Sequence, residues 1–378
     1  MIERKFWIKK LKDCLKVKNI LWLTGVRRTG KTFLCKSLKN VKYYDCELPR
    51  IRKQITDTES FLENNNKNII VLDEIHRLNN PTEILKIASD HYPEIKIIAT
   101  GSSVLGSSYK FKDTLTGRKK DLWLTPMISQ DLMDFKNKSL EHRFLRGGLP
   151  PFFMQKQFSE SDFQEWIDSY WSKDIQELFR LERKWSFQKF LELLFIQSGG
   201  IFEATKFSAS CEVSRTTILN YLTVLENTFI THVIRPFNTR KENEILSAPK
   251  VYAFDTGFVC YFKGWDKLRN DDLGLLWEHF VLNEIYANMQ SRNILYWRDK
   301  RGHEVDFIIQ KRNNKIYAVE CKWSYNNFVP NNLRSFSNRY QNAELFVVAN
   351  DVKDHFIKKF DNISVKFLNL KKLIDIII

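Results

Sequence analysis

The segment Ile20 to Thr32 (ILWLTGVRRTGKT) constrains this chain most: an apolar run, then Gly25, four residues, Gly30, Lys31 and Thr32. Holding a triphosphate requires this order of strand, glycine loop and Lys-Thr. The two glycines let the backbone turn where a side chain would clash, so successive N–H groups can point inward at phosphate oxygens. Gly25, Val26, Arg27, Arg28, Thr29, Gly30, Lys31, Thr32 and Phe33 are therefore the candidate nucleotide-binding segment. Lys31 is expected to reach the β- and γ-phosphates, and the Thr32 hydroxyl to ligate Mg²⁺. The helix predicted over FLCKSL adds its N-terminal partial positive charge at the same place.

A second run, Asn68–Ile75 (NIIVLDEI), carries four apolar residues ending in Asp73 and Glu74. Its length and continuity predict a strand buried on both faces of a parallel sheet. At the C-terminal end of such a strand, Asp73 holds Mg²⁺ through water and Glu74 orients and deprotonates an attacking water. A third run, Ile95–Ser103 (IKIIATGSS), ends in Thr100, Ser102 and Ser103. Ser102 and its neighbours are candidates to contact the γ-phosphate; a plain Ser/Gly turn is the alternative.

The chain of 378 residues is too long for one ordinary core. Its 43% hydrophobic and 28% charged content describes a folded protein. No apolar stretch is long enough to span a membrane, and the opening segment lacks an apolar signal core. Phe6, Trp7, Ile8, Leu11 and Leu15 instead predict a basic amphipathic helix before the first strand. The six cysteines show no paired spacing, and the seven histidines no metal-ligand spacing. Free thiols and a reducing, cytoplasmic setting are expected. The formal charge is +15, but thirteen basic against two acidic residues put roughly +11 of it before about residue 42. Basicity so distributed gives DNA only weak support as a partner.

Four sections follow from the patterning. Residues 1–126 alternate apolar runs with helical segments (ILWLT, VKYYDCE, NIIVLDE, KIIATGS, DLWLTP), predicting a parallel α/β nucleotide core. Residues 127–189 are aromatic-rich and helical around the break at Arg146–Pro151, and predict a helical lid. Residues 190–265 predict a winged helix. Within it, Ser214 or a neighbour caps a helix over RTTILNYLTVLENTF, and two strand-like runs, THVIRPF and KVYAFD, are joined by a charged wing, NTRKENE. Arg215, Thr216, Thr217 and Asn220 are placed to face a DNA groove, although winged helices also serve as packing or dimerising modules.

Residues 266–378 hold a second candidate site. A helix is expected over Gly274–Met289, with Glu278 on the apolar stripe of Val281, Leu282 and Ile285. Two strands follow, one with Glu304, Val305 and Asp306 and the other IYAVECKW, joined by a turn over Lys311–Asn314. Period-two geometry puts Glu320 and Lys322 on one side, and a hairpin brings Asp306 beside them. Glu278, Asp306 and Glu320 would then hold Mg²⁺ or Mn²⁺ for phosphodiester cleavage, with Lys322 positioning the nucleophile or neutralising developing charge. Alternatively, these strand charges simply pair with one another.

Taken together, the motifs resemble those of bacterial and archaeal AAA-type P-loop ATPases that carry a C-terminal domain of unknown function with a restriction-endonuclease-like fold. The resemblance rests on GVRRTGKT, LDEI at 72–75, TGSS at 100–103, LTGR at 115–118, GGLP at 147–150 and YWSKDI at 170–175. It continues through KVYAFDTG at 250–257, YWR at 296–298, EVDFII at 304–309 and VECK at 319–322. It implies a multidomain α/β ATPase in which Lys31, Thr32, Asp73 and Glu74 serve hydrolysis. It also implies Arg118 as an arginine finger, in cis or from a second copy of the chain. Val26 and His76 depart from the pattern, where Pro and Gln are expected.

Overall fold

Five short strands build the first sheet. They are β1 (Ile20–Thr24), β2 (Val41–Asp45), β3 (Ile69–Asp73), β4 (Lys96–Thr100) and β5 (Lys119–Trp123). All pair in parallel, in the order β2-β3-β4-β1-β5. This computed structural model describes residues 2–65, 68–101, 114–155, 157, 159–176, 179, 181, 183–238, 248–311 and 314–378. β1 is buried along its whole length, as a central parallel strand covered on both faces must be. Ile20, Trp22, Leu72, Ile97, Ile84 and Leu85 pack into one core between this sheet and the helix Pro81–His91. The leading helix Lys5–Val17 buries Trp7, Leu11 and Leu15 and exposes Lys5, Lys9, Lys12 and Lys16, one face each.

The chain forms two compact units. The first comprises residues 1–140, 148–184 and 223–230; the second comprises 141–147, 185–222 and 231–378. The second is organised by a nine-stranded mixed sheet in the order β13-β14-β12-β11-β10-β9-β7-β8-β6. Its strands are β6 (Gly200–Ile201), β7 (Thr231–Pro236), β8 (Lys250–Ala253), β9 (Leu295–Arg298) and β10 (Glu304–Gln310). They continue with β11 (Ile316–Lys322), β12 (Ala343–Ala349), β13 (Phe356–Phe360) and β14 (Ile363–Leu368).

Between β6 and β7 lie the helices Ala204–Cys211 and Arg215–Asn227. Ser214 Oγ accepts a hydrogen bond from the Thr217 N–H at 3.1 Å, which satisfies an otherwise unpaired amide of the first turn. Phe190, Phe202 and Phe207 form a ring cluster, with centroids 5.1–6.2 Å apart. β7 and β8 form an antiparallel pair, while β6 pairs antiparallel to β8. Most of the charged segment expected as a wing, residues 239–244, lies outside the described residues. β7 also runs parallel to β9, with Arg235 opposite Leu295 and Pro236 opposite Tyr296, so the sheet continues into the last third of the chain. The helix expected from Gly274 begins earlier and spans Asn270–Met289. Asp272 at its third position accepts from the backbone and the guanidinium of Arg269, an acidic start that the pattern of apolar residues does not reveal.

Candidate functional site

The glycine loop Gly25–Thr32 leaves the C-terminal end of β1. Gly25 has φ +140°, and the Leu124 carbonyl oxygen fills the space a Cβ would need. Gly30 has φ +93°, and Arg28 between them also lies in the left-handed region at +65°. The following helix, Lys31–Lys36, begins directly on the loop. Val26 is buried, whereas Phe33 is exposed at the side of this first turn.

A buried ion pair fixes the loop from behind. Arg4 donates to both carboxylate oxygens of Asp131, at 2.9 and 2.6 Å, and to the Thr29 carbonyl oxygen at 2.8 Å. Arg4 is 5% exposed and Asp131 fully buried. Asp131 also accepts from Trp7 Nε1 and from the Ile128 N–H. The Thr29 hydroxyl donates to the Val26 carbonyl at 2.7 Å, closing the loop internally. In front, Arg27 donates to Asp174 at 2.9 Å and Arg28 to Glu165 at 2.5 Å. Asp174 lies in a π-helical turn, Trp171–Gln176, an irregularity often found where a side chain must be re-aimed.

Around the loop the expected residues converge. Lys31 Nζ donates to the carbonyls of Gly25 (2.8 Å) and Val26 (3.1 Å). Burial pushes the Lys31 pKa down, against the pull of Glu74, Asp174 and Asp73. The Thr32 hydroxyl donates to Asp73 Oδ2 at 2.7 Å. Asp73 also receives the hydroxyls of Tyr43 and Thr100, so three strands and the loop helix meet on one carboxylate. Burial beside Asp73 raises the Tyr43 pKa, which keeps the phenol a donor. Thr100 Oγ1 in turn accepts from the Glu74 N–H at 3.1 Å.

Glu74 has left-handed backbone, φ +53°, just past the end of β3. Its carboxylate lies 3.2 Å from His76 Nδ1. Burial pushes the Glu74 pKa up, but the His76 hydrogen bond and the charges of Lys31 and Arg27 outweigh it and hold the acid below its usual value. A Thr32 hydroxyl touching an Asp73 carboxylate is a hard-oxygen pair that suits Mg²⁺, an ion usually held by one or two protein oxygens together with phosphates.

Of the other expected residues, Ser102 lies outside the described residues. Arg118 precedes β5, which runs parallel to β1 with Lys119 opposite Ile20. It therefore sits at the opposite sheet edge from the phosphate loop, five strand residues or roughly 17 Å away. There it makes a two-pronged pair with Asp90, at 2.7 and 3.1 Å. Reaching this chain's own phosphate loop is ruled out by that placement.

The second acid set assembles around β10 and β11. The pairing of Phe307 with Val319 puts Asp306 across from Glu320. An extra residue in β10 relative to β9, between Val305 and Ile308, re-aims the strand there. Asp306 Oδ2 accepts from the Cys321 N–H at 2.7 Å, and Lys322 Nζ donates to Glu320 Oε1 at 2.9 Å. Burial raises the Asp306 carboxyl well above its ordinary value, reinforced by Glu278 and Glu320. Glu278, on the helix Asn270–Met289, is paired with Lys250: the ammonium lies 3.2 Å from its Oε1 and 2.7 Å from Glu304 Oε1. Among the described residues, no three His, Cys, Asp or Glu side chains are grouped to hold a metal ion. The expected trio of Glu278, Asp306 and Glu320 is thus not gathered as a metal centre. All six cysteines are free, and no described helix is long and apolar enough to cross a membrane.

Sequence reasoning missed Tyr43, Arg4, Asp131, Asp174 and Lys250. Asp174 and Lys250 stand inside motifs the resemblance had quoted, which was the available signal.

Residues 17–133 match the family model described as AAA domain. Residues 137–269 and 273–371 match two models described as domains of unknown function, DUF8612 and DUF4143. The chain is 25% identical over 366 residues to the uncharacterized protein Rv2008c of Mycobacterium tuberculosis, covering 92% of this chain and 80% of that one. The uncharacterized protein Mb2031c of Mycobacterium bovis matches to the same extent. Among solved structures, the Walker-type ATPase PABY2304 of Pyrococcus abyssi is similar at 15% identity and a TM-score of 0.46, over 70% of this chain and 96% of that one. Residues 17–133 are thus a P-loop domain of the AAA type, and the glycine loop Gly25–Thr32 lies within it.

Proposed function

We propose that this protein is a Mg²⁺-dependent ATP hydrolase. The observation that carries the reading is the meeting of Thr32, Thr100 and Tyr43 on Asp73, with Lys31 and Glu74 on either side. Lys31 exchanges two neutral carbonyl partners for anionic phosphate oxygens, a stronger charge-assisted bond, and stabilises charge that develops in transfer. Thr32 and Asp73 would hold Mg²⁺, which supplies charge neutralisation at the phosphates. Glu74, kept ionised by its neighbours, accepts the proton of an attacking water. Arg118 serves as a finger only toward the nucleotide of a second copy of the chain, which makes a homo-oligomer the working form.

Steady-state phosphate release tests this. Lys31→Ala should abolish turnover, and Glu74→Gln should lower it by about 10²–10⁴-fold while ATP binding persists. Unchanged turnover in Lys31→Ala would end the proposal.

The finer reading is that nucleotide state controls the second unit. The order β6, two helices, β7 and β8 supports a winged helix, and the Asp306/Glu320 hairpin supports a restriction-endonuclease-like fold beyond it. DNA is the partner class this suggests. Hydrogen exchange over residues 185–378, with and without ATP, should differ; identical protection would separate the two activities. Nuclease chemistry forms no part of this proposal, because Lys250 sits on two of the acids beside the hairpin.

A further inference from the structure

The restriction-endonuclease-like reading would place a divalent metal among Glu278, Asp306 and Glu320, and the side chains do not fit one. Each carboxylate already has a committed oxygen. Glu278 Oε1 takes the Lys250 ammonium and the Tyr252 hydroxyl. Asp306 Oδ2 takes the Cys321 N–H at 2.7 Å. Glu320 Oε1 takes Lys322 at 2.9 Å and Asn332 at 3.4 Å. Glu304, a fourth acid on the same strand as Asp306, shares Lys250 with Glu278 and lies 3.6 Å from Arg298.

Lys250 is the centre of this arrangement. It stands on β8, opposite Ile234 of β7, and is only 3% exposed. Its ammonium approaches the rings of Tyr252 and Tyr296, with centroids at 5.3 and 6.0 Å, as well as its two carboxylates. An ammonium so buried persists only when its protons are met by acceptors. Two carboxylates and two ring faces meet that need. The pairing also draws Glu278 toward Glu304, so the acids divide between Lys250 and Lys322. Glu320 Oε2 is buried without a hydrogen-bond partner, and the second oxygens of Glu278 and Asp306 are also uncommitted, but the Lys250 ammonium already answers the charge of those two carboxylates. A divalent ion entering there would meet that ammonium, and no three of these acids are grouped to hold a metal among the described residues.

We infer that the Lys250 ammonium is the resident cation of the C-terminal acid set, which is therefore a closed ion-pair network that takes no divalent metal. This stands independently of the ATPase reading, because no residue of the phosphate loop enters it.

The test is Mn²⁺ uptake by the nucleotide-free full chain, followed by electron paramagnetic resonance. Wild type and Asp306→Asn should give superimposable titrations. Lys250→Met should gain one site at least tenfold tighter than any in wild type, and Lys250→Met with Asp306→Asn should lose it. Mn²⁺ bound to wild type and weakened tenfold or more by Asp306→Asn would overturn the inference without any change at Lys250. A folded Lys250→Met protein with no added uptake would also overturn it. Should Lys250→Met alone fail to fold, adding Glu304→Gln removes one stranded charge and the same titration is read. Phosphate release by wild type is a separate readout, so failure here leaves the ATPase reading to its own test.

Discussion

Thr32 and Asp73 stand 41 residues apart in the chain, and 2.7 Å separates the hydroxyl of one from the carboxylate of the other. The parallel sheet produces that meeting. β1 and β3 both end at the same edge, with β4 between them, so their C-terminal tips and that of β4 converge. The arrangement delivers a hydroxyl, a carboxylate and a second acid to one point without any irregular segment crossing the sheet.

His76 sets the acidity of Glu74, and this gives the rate a definite pH signature. Glu74 is held below its ordinary value of 4.5, so the acid limb of kcat/KM, which reports the loss of this base, lies below that pH. His76→Ala removes the hydrogen bond and leaves burial to push the carboxyl up. The acid limb should move to higher pH, with the neutral-pH rate changed only a few-fold. A pH profile of phosphate release checks it; an unmoved limb would detach His76 from the base.

Arg4 should matter far beyond its position at the chain's start. Arg4→Met strands the buried Asp131 carboxylate, a change that costs about 3–5 kcal/mol, and frees the Thr29 carbonyl. Thermal melting should fall by many degrees and KM for ATP should rise. Arg4→Met combined with Asp131→Asn should recover part of the stability without restoring the Thr29 contact, so KM stays raised.

Arg118, placed at the far edge of the sheet, predicts complementation between subunits. Arg118→Ala keeps a sound phosphate loop, whereas Lys31→Ala keeps a sound finger. Each alone should be nearly inactive. Mixtures should regain activity that rises with protein concentration, measured as phosphate release against mixing ratio. Mixtures no better than the sum of their parts would confine Arg118 to its pair with Asp90.

The second unit should lose stability in mild acid. Burial lowers His279 to about 4 and His232 to about 3, from an ordinary 6.5. Both are neutral in the folded state, so the unfolded chain binds more protons as pH falls. Their contribution is complete above pH 6.5 and is lost as pH drops from 6.5 toward 4. Replacing His279 by Gln, which cannot take up a proton there, should flatten the melting temperature between pH 7 and 5. A profile as steep as wild type would place the acid sensitivity elsewhere.

Strands and loop were legible because their signals are contiguous: β1, β3 and β4 are unbroken apolar runs, and Gly25 through Thr32 is one segment. The residues that escaped are those whose partners are remote. Arg4 finds Asp131 at a separation of 127, Arg27 finds Asp174 at 147, and Tyr43 finds Asp73 at 30. Periodicity reports which face of an element is buried but not which charged side chain lies opposite it. Lys250 shows this most clearly: on a short strand it looks like one basic residue among many, yet folding seats it between two acids 28 and 54 positions away.

The pairing of β7 with β9 bears on how the protein can be made in pieces. The matches to the two domains of unknown function stop at residue 269 and resume at 273, a natural place to cut. Yet Arg235 and Pro236 lie against Leu295 and Tyr296 across that gap, and the Phe237 N–H donates to the Tyr296 carbonyl at 2.5 Å. Expressed apart, each fragment would carry a raw strand rim with unmet amides, the kind of surface that drives precipitation. The smallest well-behaved product from this region spans both stretches.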